Sequence, residues 1–542
     1  MKVLSLRKFA RCFNYFALLF FIGLISSSYP QSLKDAYISE NQYKIDVIKY
    51  DLFIDVNSEL KRINARIEIT GLIIDSSLVT LDLNFNNALT IKELIFNNSN
   101  PDYTHKKTNL SINIIEPLPD TFKLNIKYEG KPKSFGPYGF VFGEVNKQSL
   151  VYTLNQPEYA SAWFPCNDIP SDKAMLEIRI RNTKDNISVS NGKLIQIDED
   201  ETHKTYRWKT FYPISTYLIA LYSAPYENFT DKWIYNSDTL SIEYYVMPEH
   251  LENARKDFAL HNDMLIYFSD TFGEYPFIRE KYGVAEFLWN FGAMEHQSIT
   301  GIGYTFVSGN NFFRDIYAHE LAHQWWGNAV GLKSWDDIWL SEGFATYSEA
   351  LYNEYKFGRD ALRSFMLSKF DENFTGTLYS PENLFSSLVY DKGAWVLHML
   401  RNEVGDSIFL KIIRRFFEEF KYSSASIEDF KNICEIVSGK DLYKFFDQWI
   451  ITGDDQIKLE YEFDITEQDR NYILSIITKQ IQTSYKEYHF PIEFMVIYED
   501  ESEVIVKTYI NSRMQKTEFK SIKKPKDIIP DPFNWLLANF SK

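Results

Sequence analysis

Cysteine is nearly absent from this chain: Cys12, Cys166 and Cys434 are the only three in 542 residues. No pair of them has metal-ligand spacing, and Cys12 falls in a leader segment. A disulfide framework or a thiolate cluster is therefore not what holds the protein together. Positive charge is also short, with 58 Lys and Arg against 74 Asp and Glu, a net charge of −16. Such a surface repels phosphate backbones and argues against a nucleic-acid partner. Low-complexity tracts and internal repeats are missing. The apolar stretch Phe13–Ile25 covers 13 residues, whereas a membrane-spanning helix needs roughly 20.

That stretch reads instead as part of a signal peptide over residues 1–30. Lys2, Arg7, Lys8 and Arg11 precede it, and Ser26, Ser27 and Ser28 supply small residues for cleavage. The expectation is export to the periplasm or the extracellular space, without stable membrane insertion once the signal is removed. An uncleaved N-terminal membrane anchor is the alternative. No Cys follows the apolar run, which argues against lipidation.

What is present suits a folded protein. Hydrophobic residues make up 45% and charged residues 24%, and 36 Tyr and 43 Phe can fill large cores. The length calls for roughly two to four domains. From Tyr43 to Tyr222 apolar residues recur with period two: Tyr50, Leu52, Ile54, Val56; Ile63, Ala65, Ile67, Ile69; Phe122, Leu124, Ile126, Tyr128. That pattern predicts antiparallel sheets with one covered face. Around residue 250 the spacing turns helical, over Leu251–Phe272, Phe312–Asn328, Leu340–Phe357 and Ala394–Asn402, and Ser426 with Asp429 forms a capping box. Gly453-Asp454-Asp455 closes this region, and strand patterning returns in Tyr472–Ile477 and Ile492–Tyr498. The expected class is α+β multidomain: an N-terminal antiparallel β domain over 40–226, a mostly α catalytic domain over 227–453, and a small C-terminal β-sandwich over 456–542.

The segment His319-Glu320-Leu321-Ala322-His323 carries the chemistry. On a helix, residues four apart lie about 40° apart around the axis. Two imidazoles so placed can share one zinc ion, with Glu320 angled toward a water on that ion. Chance produces this pattern in about one such chain in a hundred, so a third ligand is needed. Glu342, in Trp339-Leu340-Ser341-Glu342-Gly343, follows after an eighteen-residue gap. Two His and one Glu leave a fourth position open for water.

With these residues the chain resembles the gluzincin aminopeptidases, the family of aminopeptidase N and leukotriene A hydrolase. Its metal motif has the same gap. Its hallmark Gly-x-Met-Glu-Asn appears here as Gly292-Ala293-Met294-Glu295-His296, with His a departure from the commonest form. Gln156-Pro157-Glu158, Phe164-Pro165-Cys166 with Asp168, Ser190-Asn191-Gly192, Pro213–Ala220, Tyr390-Asp391-Lys392-Gly393 and Asp531-Pro532 with Trp535-Leu536 extend the likeness over nearly the whole mature chain.

The resemblance implies a thermolysin-like catalytic domain, one Zn²⁺ per chain, and removal of N-terminal residues from peptides with a free amino end. It implies His319, His323 and Glu342 as metal ligands, and Glu320 as general base and then general acid. Tyr390 would be the hydrogen-bond donor to the oxyanion. Glu295 and Glu158 would be the carboxylates that hold the substrate ammonium. Gln156 and Met294 would line the first side-chain pocket, and Gly292 and Ala293 would pair with the substrate backbone. Glu349 would orient a zinc-bound imidazole or remain a solvated charge, while His296 and His398 read as structural. Roughly 85 residues after Gln456 are too few for the helical fourth domain of many members, so the site would be more open or covered by a partner subunit. A homo-oligomer, a zinc endopeptidase of the same fold, an inactive peptide-binding homologue and a lipid-epoxide hydrolase all stay open at this point.

Overall fold

The computed structural model describes residues 38–114, 120–235, 238–290 and 292–542. The signal peptide read at 1–30 and its apolar stretch lie outside them. Among the described residues no helix is long and apolar enough to cross a membrane.

The chain divides into two compact units, one running up to residue 334 together with 420–424, the other comprising 335–419 and 425–542. The first opens with an eight-stranded sheet. Its order is Lys193–Glu199, His203–Lys209, Lys173–Thr183, Ile45–Asn57, Arg62–Ile73, Thr121–Gly130 and Leu89–Phe96, with Ile214–Ser215 pairing beside Lys173–Thr183. The period-two reading is realised residue by residue. Tyr50, Leu52, Ile54, Val56, Ile63, Ala65, Ile67 and Ile69 are all buried, while Asp51, Phe53 and Asp55 are not. Each large apolar side chain so covered contributes on the order of 1.5–3 kcal/mol.

Most pairings are antiparallel, as expected. Ile45–Asn57 and Lys173–Thr183, however, run parallel, with Leu52 opposite Ile178. Alternation reports which face is covered and carries no information on strand direction.

A five-stranded sheet in the same unit has the order Glu227–Tyr235, Asp238–Val246, Tyr282–Phe287, Thr300–Gly303, Ala293–Met294. Ala293–Met294 is its last strand, paired on one side only, with Met294 opposite Gly301. Helices Leu251–Asp257 and His261–Phe272 follow this sheet's first hairpin, joined by the single 3₁₀ turn Phe258–Leu260.

The helix expected over Phe312–Asn328 is shorter, Arg314–Ala322. The chain leaves it in a turn in which Gly327 takes φ 102° and Asn328 N donates to His323 O at 3.1 Å. Apolar spacing continued through Trp325 and Trp326 because both are buried from the turn, not because they are helical.

In the second unit helix Trp339–Phe357 packs against Gly393–Val404. Glycine is required at their crossing, since a Cβ on Gly393 would lie 2.9 Å from Gly343 Cα. Ser426 Oγ accepts from Asp429 N at 3.3 Å, and Asp429 accepts in return from Ser426 N at 2.9 Å, completing the capping box of helix Ile427–Ser438. The C-terminal strands form a sheet of four and a sheet of three. His398 joins helix to C-terminal segment, its ring stacked on Trp535 at 4.6 Å and its Nε2 at 3.2 Å from Asn534 O.

Candidate metal and substrate site

The metal helix is fixed at its start by Asp257, which is fully buried. Its carboxylate accepts from Ser308 N at 2.6 Å, Gly309 N at 2.8 Å and Asn311 N at 2.7 Å, setting the loop that enters Arg314–Ala322. On that helix Tyr317, Ala318, Leu321 and Ala322 are buried. This face holds the helix down and turns the ring of His319 toward that of His323. The two Nε2 atoms approach to 3.0 Å with ring centroids 4.6 Å apart.

His323 Nδ1 lies 3.0 Å from Trp326 O. A carbonyl only accepts, so Nδ1 carries the proton and Nε2 presents its lone pair. Glu342, 2% exposed in the first turn of Trp339–Phe357, supplies a carboxylate. One ligand atom from each of His319, His323 and Glu342 lies within 4.8 Å of the others, so the cluster can hold a metal ion. Zinc fits the donor set: bonds of 2.0–2.1 Å in a tetrahedral shell put neighbouring ligand atoms about 3.3 Å apart, close to the separation of the two nitrogens. Glu320, 6% exposed, sits between the two histidines in sequence.

Glu295 is 4% exposed at the end of the edge strand, and Gln156 Nε2 donates to its Oε1 at 2.8 Å across 139 residues of sequence. Met294 is buried, Gly292 and Ala293 half-buried. Glu158 is half-buried, and burial first, then the nearby Asp168, push its carboxyl up to about 8. Asp168 itself is pushed up to about 6 by burial, against a hydrogen bond from Thr216 Oγ1 at 2.6 Å.

In the second unit Tyr390 is half-buried on the π-helical turn Leu388–Lys392, which packs on helix Trp339–Phe357. Wide turns of this kind recur at functional positions. Lys392 anchors it, donating from a fully buried Nζ to Gly376 O and Gly453 O, each at 2.9 Å. Asp391 is raised by burial and by Glu349, while Lys369 at 3.4 Å pulls it down. Glu349, 7% exposed, lies on the helix against which the Tyr390 turn packs. His296 Nδ1 meets Tyr222 Oη at 2.6 Å in a fully buried setting, and burial pushes the imidazole down to about 3.

Gln324 and Asn328 carry no chemical signature in the sequence. Both are fully buried and bond to the backbone of the Glu295 segment. Their only signal there is that they sit one and five places after His323.

Comparison with known proteins supplies the relationship. A model of the peptidase M1 N-terminal domain matches residues 47–218, and a model of the peptidase family M1 domain matches residues 257–449. Aminopeptidase N of Lactococcus lactis is 26% identical over 457 residues, covering 77% of this chain and 51% of that protein. Probable aminopeptidase 2 of Sulfurisphaera tokodaii is 29% identical over 350 residues, covering 60% and 44%. The chain spans about half the length of the curated relatives it matches.

Among solved structures, an M1 zinc metallopeptidase from Deinococcus radiodurans superposes with a TM-score of 0.65 at 26% identity, over 75% of this chain and 93% of that one. The aminopeptidase A of Legionella pneumophila shares the fold, with a TM-score of 0.81 at 21% identity over 94% of this chain and 60% of that one. The two domain matches, in order along the chain, take in the edge strand, the metal helix and the Tyr390 turn: the chain belongs to peptidase family M1.

Proposed function

We propose that this chain is a zinc-dependent aminopeptidase that hydrolyses single residues from the free amino end of peptides, with His319, His323 and Glu342 as the metal ligands. The observation that carries the reading is the buried Glu295, held by Gln156 at 2.8 Å, whose backbone carbonyl accepts from Asn328 only five residues past His323. A carboxylate kept in place so close to the metal helix suits a substrate that ends there in a positive charge. One ion pair at 4 Å is worth on the order of 4 kcal/mol before desolvation, at an effective dielectric of 20. That is ample to fix the register of cleavage.

Zinc, when bound, supplies Lewis acidity toward the scissile carbonyl and acidifies a water. Glu320 takes the proton of the attacking water and returns it to the leaving amine. The Tyr390 phenol donates to the oxygen on which charge develops. Glu295 and Glu158 hold the ammonium, Gln156 and Met294 line the first side-chain pocket, and Gly292 with Ala293 offers backbone from the edge strand.

The three-part division at 40–226, 227–453 and 456–542 belongs to the same reading. So does export to the periplasm or the extracellular space, with an N-terminal anchor as the alternative. Assembly into a homo-oligomer is an outcome that sedimentation would decide.

Aminoacyl and peptide substrates, each paired with its N-acetylated twin, test the proposal. Free-amine substrates should be cleaved and the acetylated twins spared. Equal rates on both would replace the reading with an endopeptidase of the same fold.

A further inference from the structure

The amine-binding segment does not support itself. Residues Glu295 to Ser298 leave the edge strand in a turn, and Ser298 sits at φ 59°, a left-handed conformation unusual for a residue with a side chain. Every residue of this stretch is buried. Each backbone group that its own turn does not satisfy must therefore find a partner elsewhere.

Gly283 N donates to Ser298 O at 3.0 Å, and further partners come from the chain just past the second histidine. Asn328 Nδ2 donates to Glu295 O at 2.6 Å, and Gln324 Oε1 accepts from Ser298 N at 2.8 Å. Gln324 Nε2 also reaches Glu295 O at 3.4 Å and His296 O at 3.5 Å. On the far side Asn191 Nδ2 donates to Gln297 O at 2.7 Å, and Gly192 N to Ser298 Oγ at 2.8 Å. Asn328 is itself tied to the metal helix, its own N donating to His323 O at 3.1 Å. Asn328 can only point its amide nitrogen at Glu295 O, since a carbonyl facing a carbonyl would repel.

We infer that Gln324 and Asn328 are positioning residues. Their side-chain amides fasten the Glu295–Ser298 segment to the turn after His323, and so set the distance between the amine-holding carboxylate and the metal. Neither touches substrate. Through them, a movement of the metal helix carries the ammonium site with it, keeping the first peptide bond in register. The inference rests on the aminopeptidase reading given above.

The test uses the full-length protein carrying Asn328→Leu or Gln324→Met, each close to the native volume but without the amide. Zinc content, kcat and KM are measured on a free-amine substrate and on its N-acetylated twin. Loss of one buried hydrogen bond in the support should raise KM for the free-amine substrate about tenfold. The preference over the acetylated twin should shrink by a similar factor, with about one zinc per chain kept and kcat within about twofold.

Lost zinc, or a fall in kcat at unchanged KM, would show that the amides serve the metal helix and not the carboxylate, overturning the inference. So would unchanged kinetics in both variants. If one variant does not fold, the other decides; if neither accumulates as folded protein, the residues are structural and the inference falls. Failure of the underlying reading looks different, because the unmodified enzyme would then show no preference for a free amine.

Discussion

The two halves of the chemistry in the first unit are held in opposite ways. His319 lies in the last turn of a regular helix and His323 caps it in helical conformation, its N donating to His319 O at 3.1 Å, so local backbone geometry brings their rings together, and the carbonyl of Trp326 sets the His323 tautomer. Glu295 follows directly on a two-residue strand and precedes by three places a residue with positive φ, Ser298, and its position is assembled from amides at 156, 324 and 328. A helix defends its ligands by repetition, since each residue is bonded to the next turn. The carboxylate depends on a few specific side chains. Metal affinity should therefore be robust to changes around the site, and recognition of the amino end should be fragile.

The sharpest division is expected from Glu320→Gln, which touches neither set of supports. Hydrolysis should fall by about 10²–10⁴-fold, the usual contribution of a positioned acid–base group, with zinc content unchanged. Undiminished turnover with full metal would remove the mechanism.

Glu295→Gln attacks the fragile half. KM for a free-amine substrate should rise by about 30-fold or more, as when one partner of a buried charge pair is removed, while the acetylated twin is barely affected. A matching loss of zinc would mean that the two halves are not separable.

A third change probes the second unit. Gly393→Ala places a methyl 2.9 Å from Gly343 Cα, where two helices cross beneath the Tyr390 turn. Overpacking of this kind costs about 1–3 kcal/mol, visible as a lowered unfolding midpoint, and kcat should drop further than KM moves. An unchanged midpoint would show that the crossing can relax.

The smallest effect is a pH slope. In the free protein the Glu158 carboxyl is raised to about 8 by burial and Asp168. Below that pH it carries a proton that must leave when an ammonium binds. The kcat/KM for free-amine substrates should therefore fall as pH drops below about 8, by at most about tenfold per unit. Glu158→Gln should flatten that part of the profile. An unaltered slope in the variant would assign it to another group.

Much of this is legible in the amino-acid sequence. Alternation at Tyr50–Val56 and Ile63–Ile69 gave the covered faces of the first sheet, because side-chain direction in a strand is a local property. The His pair was readable for the same reason: four residues on a helix is a fixed angle. What misled was continuity of apolar spacing. Trp325 and Trp326 extended the helical pattern past Ala322, yet they are buried from a turn that Gly327 makes feasible. Strand direction, parallel between Ile45–Asn57 and Lys173–Thr183, also left no mark on the pattern.

By itself, then, the sequence determined the order of β and α regions and the His pair whose spacing suits zinc, since each depends on residues a few positions apart, and it offered Glu342 nineteen positions on as the third donor. Only the tertiary structure decided which amides and carbonyls hold Glu295. Gln156 lies 139 residues before it and Asn328 33 after. A hydrogen bond between residues so far apart is specified by packing, not by any local period. The same holds for the burial that raises Glu158, because desolvation depends on what the rest of the chain places around a group.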